Sequence, residues 1–331
     1  MIHDANVTVA GGGSWGTALA HVLAEQHISV NLWLRDSSVA KDILEFHENK
    51  RYLPNIALNK TINASCDPSI FKTRIVILAI PVQQLRSWLE QYKDNFLSNS
   101  MIINAAKGLE VANICTCNKI VHDVLGDNVY YGVISGPSFA KEVVMGKPVA
   151  LVLAIEDKQL GQELRELFSG LTLRCYSSTD VLGVELGGAV KNVMAIAAGI
   201  CDGLGLGDNC RAALITRGLA EMIRMGTSLG AKASTFMGLS GLGDLVLTCT
   251  GDLSRNRQVG LGLGRGETLE AIISNLGMVA EGVKTTDALF VLSKKYNLDM
   301  PILNSMYRIL HGEAKPSEEV NALMQRALRE E

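Results

Sequence analysis

Val7-Thr8-Val9-Ala10-Gly11-Gly12-Gly13-Ser14-Trp15-Gly16-Thr17-Ala18-Leu19-Ala20 is the stretch whose reading decides the fold. A short β-branched run meets three glycines spaced Gly11-x-Gly13-x-x-Gly16, and an Ala- and Leu-rich helical pattern follows. Strand, glycine turn and helix in this order form a dinucleotide-binding fingerprint. Gly11 permits the tight turn. Gly13 has no side chain, so a pyrophosphate can approach the backbone. Gly16 lets the helix pack closely on the strand, and the open N–H groups at the helix start face the anion. An ordinary glycine turn shares these letters. The context separates the two, because a second strand candidate at 29–33 sits where a βαβ unit needs it.

The same alternation continues. Strand candidates fall at 7–10, 29–33, 75–80, 101–105, 130–135, 149–154 and 171–176, with helical patterns at 14–26, 38–49, 84–92 and 157–168. The strands are near-continuous apolar runs, as strands covered on both faces are. The expected architecture is α/β: a doubly wound, mostly parallel Rossmann-type N-terminal domain, followed by a mainly α-helical C-terminal domain. Ser177, Ser178 and Thr179 form a polar junction rich in helix-capping residues, so the boundary is expected there, with domains 1–178 and 179–331.

Composition narrows the function classes. A chain of 331 residues can bury two sizeable cores. Its 31 basic and 34 acidic residues nearly balance, without a basic run, so neither nucleic acid nor an anionic membrane is an expected partner. The seven cysteines are scattered, and Cys115 and Cys117 are too close for a C-x-x-C site. They read as free thiols of a reducing compartment. No His/Cys/Asp group has ligand spacing, so no metal is expected. No cationic, apolar leader precedes the first strand. The apolar segment 75–80 is short, and 189–201 is interrupted by Lys191 and Asn192, so no membrane span and a cytoplasmic location are expected.

In an open α/β sheet, ligands bind beyond the carboxyl ends of the strands. Those ends carry Gly11, Gly13, Ser14 and Trp15, then Arg35 and Asp36, then Pro81, then Lys107 and Gly108, and then Ser135-Gly-Pro-Ser-Phe-Ala-Lys-Glu. An NAD site usually places an acidic residue at the second strand end, to hold the ribose 2′-hydroxyl. Arg35 stands there instead and would pair with a 2′-phosphate, favouring NADP. Asp36 follows directly and either opposes that choice or caps the next helix. Lys107 is either a solvated loop lysine or a ligand to substrate or cofactor.

The second half carries the sharper anomaly. Val184-Glu-Leu-Gly-Gly-Ala-Val-Lys-Asn-Val-Met-Ala-Ile-Ala-Ala-Gly reads as a helix buried nearly all round, with Lys191 in its middle. Its neighbours at three and four residues are Gly187, Gly188, Met194 and Ala195, so no local ion pair supports it. Lys191 either snorkels outward or meets a partner from another segment, and the glycines one turn away leave room over its stem. Burial lowers a lysine pKa towards the range useful for proton transfer. Asp244, in Gly241-Leu-Gly-Asp, is either a helix cap or the group that orients Lys191, with Thr248 one turn on. Ser254-Arg255-Asn256-Arg257 is either a polar surface turn or a phosphate cradle.

Taken together, Gly11-Gly-Gly-Ser-Trp-Gly-Thr-Ala, Asn49-Lys-Arg-Tyr-Leu-Pro, Ala105-Ala-Lys-Gly-Leu-Glu, Ser135-Gly-Pro-Ser-Phe-Ala, Val190-Lys-Asn-Val, Gly241-Leu-Gly-Asp, Ser254-Arg-Asn-Arg and Ala280-Glu-Gly-Val run nearly end to end. In that order they resemble the bacterial NAD(P)-dependent glycerol-3-phosphate dehydrogenases. The resemblance implies interconversion of dihydroxyacetone phosphate and sn-glycerol 3-phosphate with NADP(H) and/or NAD(H), in supply of phospholipid synthesis. It makes Lys191 the proton donor and acceptor, with Asp244 tuning it. It assigns Lys107, Gly136, Ser138, Lys191, Asp244, Ser254, Arg255 and Asn256 to the phosphorylated substrate. To the cofactor it assigns Ser14, Trp15, Arg35, Tyr52, Lys107, Ala140, Arg255, Val279 and Glu281, beside the fingerprint glycines Gly11, Gly13 and Gly16. It also implies a cytoplasmic homodimer. Two other functions fit part of the pattern: a related two-domain dehydrogenase of a hydroxy acid or sugar acid, and a non-enzymatic dinucleotide sensor, which has no use for a buried Lys–Asp pair.

Overall fold

β1 (Val7–Ala10) is buried along its whole length and lies inside an eight-stranded sheet. The computed structural model describes residues 6–277 and 280–327. The chain continues through α1 (Ser14–Glu25), β2 (Val30–Trp33), α2 (Ser37–Phe46), β3 (Asn63–Ser65), β4 (Ile75–Leu78), α3 (Val82–Tyr92) and β5 (Met101–Asn104). α4 (Cys117–Leu125), β6 (Tyr130–Ser135), α5 (Ala140–Val144), β7 (Val149–Ile155), α6 (Lys158–Phe168) and β8 (Leu173–Ser178) complete the alternation. The strand order is β3-β2-β1-β4-β5-β6-β7-β8. Every pairing is parallel except β6 with β7. This is the doubly wound sheet the apolar runs predict. The order reverses between β1 and β4, and Ala10 pairs with Leu78, so two carboxyl ends meet at the switch point.

All seven expected strands are present. β3 has no counterpart among them, because Asn63-Ala-Ser is short and polar and sits at the sheet edge, where no apolar run is required. The core joins α1 to the sheet: Leu19, Leu23, Leu32, Ile75, Ile77 and Phe168 are each at most 1% exposed.

The chain forms two compact units. The first ends at Lys107 and resumes over Thr116–Glu185; the second comprises Gly108–Cys115 and the chain from Leu186 onward. The first unit thus runs past the polar junction at Ser177–Thr179 into α7 (Val181–Gly203). Glu185 explains why. Its Oε1 accepts from the Tyr131 hydroxyl at 2.5 Å and the Asn118 N–H at 3.0 Å, tying the start of the helix to β6 and α4. Burial pushes the Glu185 pKa up to about 7, although these hydrogen bonds pull it down.

The second unit is helical: α7 is followed by α8 (Gly207–Ser228), α9 (Ala233–Phe236), α10 (Asp244–Thr250), α11 (Arg255–Gly264), α12 (Leu269–Leu276), α13 (Glu281–Lys295), α14 (Pro301–Leu310) and α15 (Pro316–Met324). Lys191 lies in the middle of α7, as the sequence pattern predicts. The helix is long and apolar enough to cross a membrane, and 94% of its most apolar window is buried within the protein. Small residues set its packing. A Cβ on Gly199 would lie 2.0 Å from the Arg257 carbonyl oxygen, and one on Gly260 would lie 1.9 Å from that of Ile196. Backbone contact at this range holds α11, and the polar turn before it, against α7.

Candidate active site

The three fingerprint glycines separate into the three roles their spacing predicts. Gly11 has φ +117°, a conformation other residues rarely adopt. A Cβ on Gly16 would lie 1.9 Å from the Gly11 carbonyl oxygen, so α1 packs on the turn only because that atom is missing. A Cβ on Gly13 would meet nothing within 4 Å: its surroundings are open space. Gly13 is also the N-cap of α1 and offers no side-chain acceptor, leaving the first-turn N–H groups for an anion. Trp15 Nε1, in the same turn, is buried without a hydrogen-bond partner among the described residues. This cradle fits a dinucleotide pyrophosphate. Gly13→Ala should therefore fold with a near-normal melting temperature but bind dinucleotide at least about tenfold more weakly, whereas Gly16→Ala should lose several kcal/mol of stability, as overpacking against rigid backbone does. Thermal melts and cofactor titration of both variants check this. Equal melting losses would remove the distinction between the two glycines.

The turn is held from behind by Asn49. Its side-chain amide is fully buried and donates to the Gly12 carbonyl at 2.9 Å and to Thr17 Oγ1 at 2.8 Å. Ser14 Oγ donates to the Tyr52 carbonyl at 2.9 Å, bringing two predicted cofactor residues together. At the end of β2, Asp36 caps α2: Ser38 N–H and Oγ both donate to it, at 3.0 and 2.7 Å. Those bonds, helped by Arg51 at 3.1 Å, hold its pKa below the ordinary value. Arg35 is exposed and makes no hydrogen bond or ion pair among the described residues.

Beyond β5 and β6 the predicted Lys107, Gly136 and Ser138 converge. Lys107 Nζ and Ser138 Oγ each donate to the Gly136 carbonyl, both at 2.9 Å. Gly136 has φ +139° and, were it given a Cβ, would press on the Ala150 carbonyl at 3.1 Å. Ala140 opens α5, half-buried against the core of the first unit.

In the second unit, Lys191 neither snorkels nor stands alone. Its Nζ donates to Asp244 Oδ1 at 2.9 Å and to Thr248 Oγ1 at 2.7 Å. Thr248 Oγ1 itself donates to the Asp244 backbone carbonyl at 2.6 Å. All three residues are buried, at 6%, 2% and 4% exposure. Asp244 is not a cap: it follows the π-turn Leu239–Gly243 in continuous helical backbone, and its carboxylate faces Lys191. Gly187 does not clear space for the lysine stem as its spacing suggests. A Cβ there would lie 2.6 Å from the Ser240 carbonyl oxygen, so its absence lets the segment leading to Asp244 close against α7. The arrangement presents an ammonium fixed by two acceptors, able to give or take one proton.

The Ser-Arg-Asn-Arg turn is an N-terminus, as expected. Ser254 caps α11 by accepting from the Arg257 N–H at 3.2 Å. Arg255 is exposed; desolvation of its guanidinium by the surrounding protein lowers its pKa, and the nearby Glu281 carboxylate offsets this in part. Asn256 is buried; its Nδ2 donates to Asn192 Oδ1 at 2.9 Å and its Oδ1 accepts from the Gly282 N–H at 3.0 Å. These bonds join α7, α11 and the start of α13 one residue from Lys191. Val279 lies outside the described residues. Arg257 serves the scaffold, pairing with Asp202 at 2.7 Å and Asp252 at 2.8 Å.

Asn49, Gly282 and Asp202 are the positioning residues the sequence reading did not single out. Asn49 left one signal, a polar residue just after an amphipathic helix. Gly282 lies in the Ala280-Glu-Gly-Val motif, with no role read for it, and Asp202 acts through contacts at long sequence separation and left no signal.

The chain is similar throughout to proteins of known class. The family model described as NAD-dependent glycerol-3-phosphate dehydrogenase N-terminus matches residues 6–161, and that of the C-terminus matches residues 180–321. Glycerol-3-phosphate dehydrogenase (NAD(P)+) of Desulfovibrio desulfuricans is 56% identical over all of both chains. The protein of that name from Nitratidesulfovibrio vulgaris is 54% identical, over 98% of this chain and 99% of its own. Among solved structures, glycerol-3-phosphate dehydrogenase from Coxiella burnetii superposes with a TM-score of 0.93 at 40% identity, covering 97% of this chain and 99% of that one.

Proposed function

This chain belongs to the NAD-dependent glycerol-3-phosphate dehydrogenase family, and we propose on that footing that it interconverts dihydroxyacetone phosphate and sn-glycerol 3-phosphate with NAD(P)H. The observation that carries the chemistry is the buried Lys191–Asp244–Thr248 triad. A sensor of dinucleotides has no need of it. A hydroxy-acid or sugar-acid substrate gains no support from any relative reported above.

A bound dinucleotide supplies or accepts the hydride; Gly11, Gly13, Ser14, Trp15, Gly16, Arg35, Tyr52, Lys107, Ala140, Arg255 and Glu281 are the described residues that would hold it. Lys191, as ammonium, gives a proton to the carbonyl oxygen as that oxygen gains negative charge, and takes the hydroxyl proton in the reverse direction. Asp244 and Thr248 fix the ammonium in place, so little reorganisation is needed when the proton moves. By the family likeness, Lys107, Gly136 and Ser138 are further ligands of the substrate. Ser254, Arg255 and Asn256 take its phosphate, with open N–H groups at the start of α11 and the Arg255 guanidinium as donors. Binding energy from that non-reacting phosphate positions the carbonyl. In this reading the first unit holds the dinucleotide and the second holds the catalytic lysine. The family likeness further supports a cytoplasmic homodimer that feeds phospholipid synthesis.

The direct test is an initial-rate assay with dihydroxyacetone phosphate and each reduced cofactor. Oxidation of NADH or NADPH dependent on that substrate is expected, and its absence with active oxidation on a 2-keto acid would replace this reading. Cofactor choice has its own test. Arg35 is unengaged, while Asp36 is committed to Ser38 and Arg51, so the guanidinium is available for a 2′-phosphate. A charged hydrogen bond is worth about 1.5–3 kcal/mol, so Arg35→Ala should lower the NADPH-to-NADH preference about ten- to a hundredfold. Equal losses for both cofactors would show that Arg35 does not read the phosphate.

A further inference from the structure

Cys201 and Cys210 stand apart from the other five thiols. Their sulfurs are 3.5 Å apart, Cys210 Sγ directed at Cys201 Sγ. Cys201 lies near the end of α7 and is buried, whereas Cys210, in the first turns of α8, is half-buried and reachable from solvent. The connection between the two helices is Leu204-Gly205-Leu206, with Gly205 at φ +71° and Gly207 at φ +80°. Such a link tolerates the approach of about 1.5 Å that brings the sulfurs to a bond length of about 2.05 Å. We propose that Cys201 and Cys210 are an oxidant-sensitive dithiol that closes to a disulfide on reaction with a peroxide.

The chemistry balances. The Cys210 sulfur attacks one peroxide oxygen; the O–O bond breaks, the peroxide is reduced to water, and Cys210 becomes a sulfenic acid. The Cys201 sulfur then attacks the Cys210 sulfur. The S–O bond breaks, the S–S bond forms, and the leaving hydroxide departs as water with the Cys201 proton. The accessible thiol is the one that meets the oxidant. Cys201 is kept protonated by burial and by its neighbours Cys210 and Asp202, which push its pKa up to about 12, so it serves as the resolving partner.

The pair is wired to the phosphate turn. Asp202, next to Cys201, bridges Arg211, next to Cys210, at 2.7 Å and Arg257 of α11, also at 2.7 Å. Arg257 in turn donates its backbone N–H to Ser254 Oγ at the start of that helix. Closing the disulfide moves α8 against α7 at this bridge, so it should loosen the turn that takes the substrate phosphate. This consequence rests on the function proposed above; the disulfide itself does not.

The experiment treats the reduced full-length protein with a small excess of hydrogen peroxide, blocks remaining thiols, and maps peptides by mass spectrometry. A peptide pair linked through Cys201 and Cys210, two hydrogens lighter than the dithiol and restored by dithiothreitol, is expected. Both cysteines recovered as blocked thiols, or Cys210 trapped as a lone sulfenic or sulfinic acid, would overturn the proposal without touching the assigned reaction. The oxidised protein should show a severalfold higher KM for dihydroxyacetone phosphate with an unchanged NADH dissociation constant. An unchanged KM in fully cross-linked protein would sink the link to the phosphate turn. Cys210→Ser should keep the basal kinetics and lose the response to peroxide. Cys201→Ala should leave Cys210 oxidised but uncrosslinked. Equal peroxide inhibition of Cys210→Ser would place the sensitive thiol elsewhere.

Discussion

Lys191→Ala should lower turnover by about a hundredfold or more, the range expected when a general acid–base is removed, while dinucleotide still binds to the glycine turn of the first unit. The same change should cost stability. Asp244 is 2% exposed and would lose its ion pair with Lys191 at 2.9 Å. Removing one member of a buried ion pair typically costs about 3–5 kcal/mol, because a charge is left uncompensated. The two losses can be told apart. Lys191→Ala combined with Asp244→Asn removes both charges and should regain much of the melting temperature, yet none of the turnover. Turnover returning with stability would mean that Lys191 is scaffold and that the proton is handled elsewhere. Steady-state kinetics, cofactor titration and thermal melts on the single and double variants decide it.

Arg255→Ala should lower kcat/KM for dihydroxyacetone phosphate by about a hundredfold or more. A guanidinium holding a phosphate makes up to two charge-assisted hydrogen bonds, each worth about 1.5–3 kcal/mol. Arg255 is exposed at the first position of α11, so its truncation opens no core cavity; removing the counter-charge beside Glu281 should cost only a little stability. The loss should fall on both KM and kcat, since phosphate binding also positions the carbonyl. Reduction of a neutral substrate lacking the phosphate, already slow, should change little. A comparable loss with that substrate would make the role of Arg255 general rather than phosphate-specific. Arg257→Ala is the contrasting variant: it breaks ion pairs to Asp202 and Asp252 and should lower stability along with activity.

The first half of the fold was legible because its signals are local. A strand covered on both faces must be an apolar run, and a pyrophosphate turn must carry glycine where the chain bends, where a ligand approaches and where a helix packs. Gly11 and Gly16 meet the first and third demands, and Gly13 leaves the open space the second requires, all within six residues. β3 was missed for the converse reason: at a sheet edge, Asn63-Ala-Ser needs no apolar pattern. Asp36 was ambiguous in sequence, because a cap and a cofactor acid are the same residue at the same place. Its bonds to Ser38 show the cap.

What the sequence determined by itself is the class of the apolar strands, of the helices between them and of the second half as helical, and the oddity of a lysine inside an apolar helix. What it left open is what that lysine meets, since Asp244 lies 53 residues away and no periodicity connects positions so far apart. Tertiary structure decides this through backbone packing. With no Cβ on Gly187, the Ser240 carbonyl comes close and carries Asp244 to Lys191; with none on Gly199 and Gly260, α11 lies against α7 and Asn256 reaches Asn192. A glycine in a sequence records only that a side chain is absent. Which backbone fills the space is settled when the helices cross, and here that filling gives a buried cation its carboxylate partner.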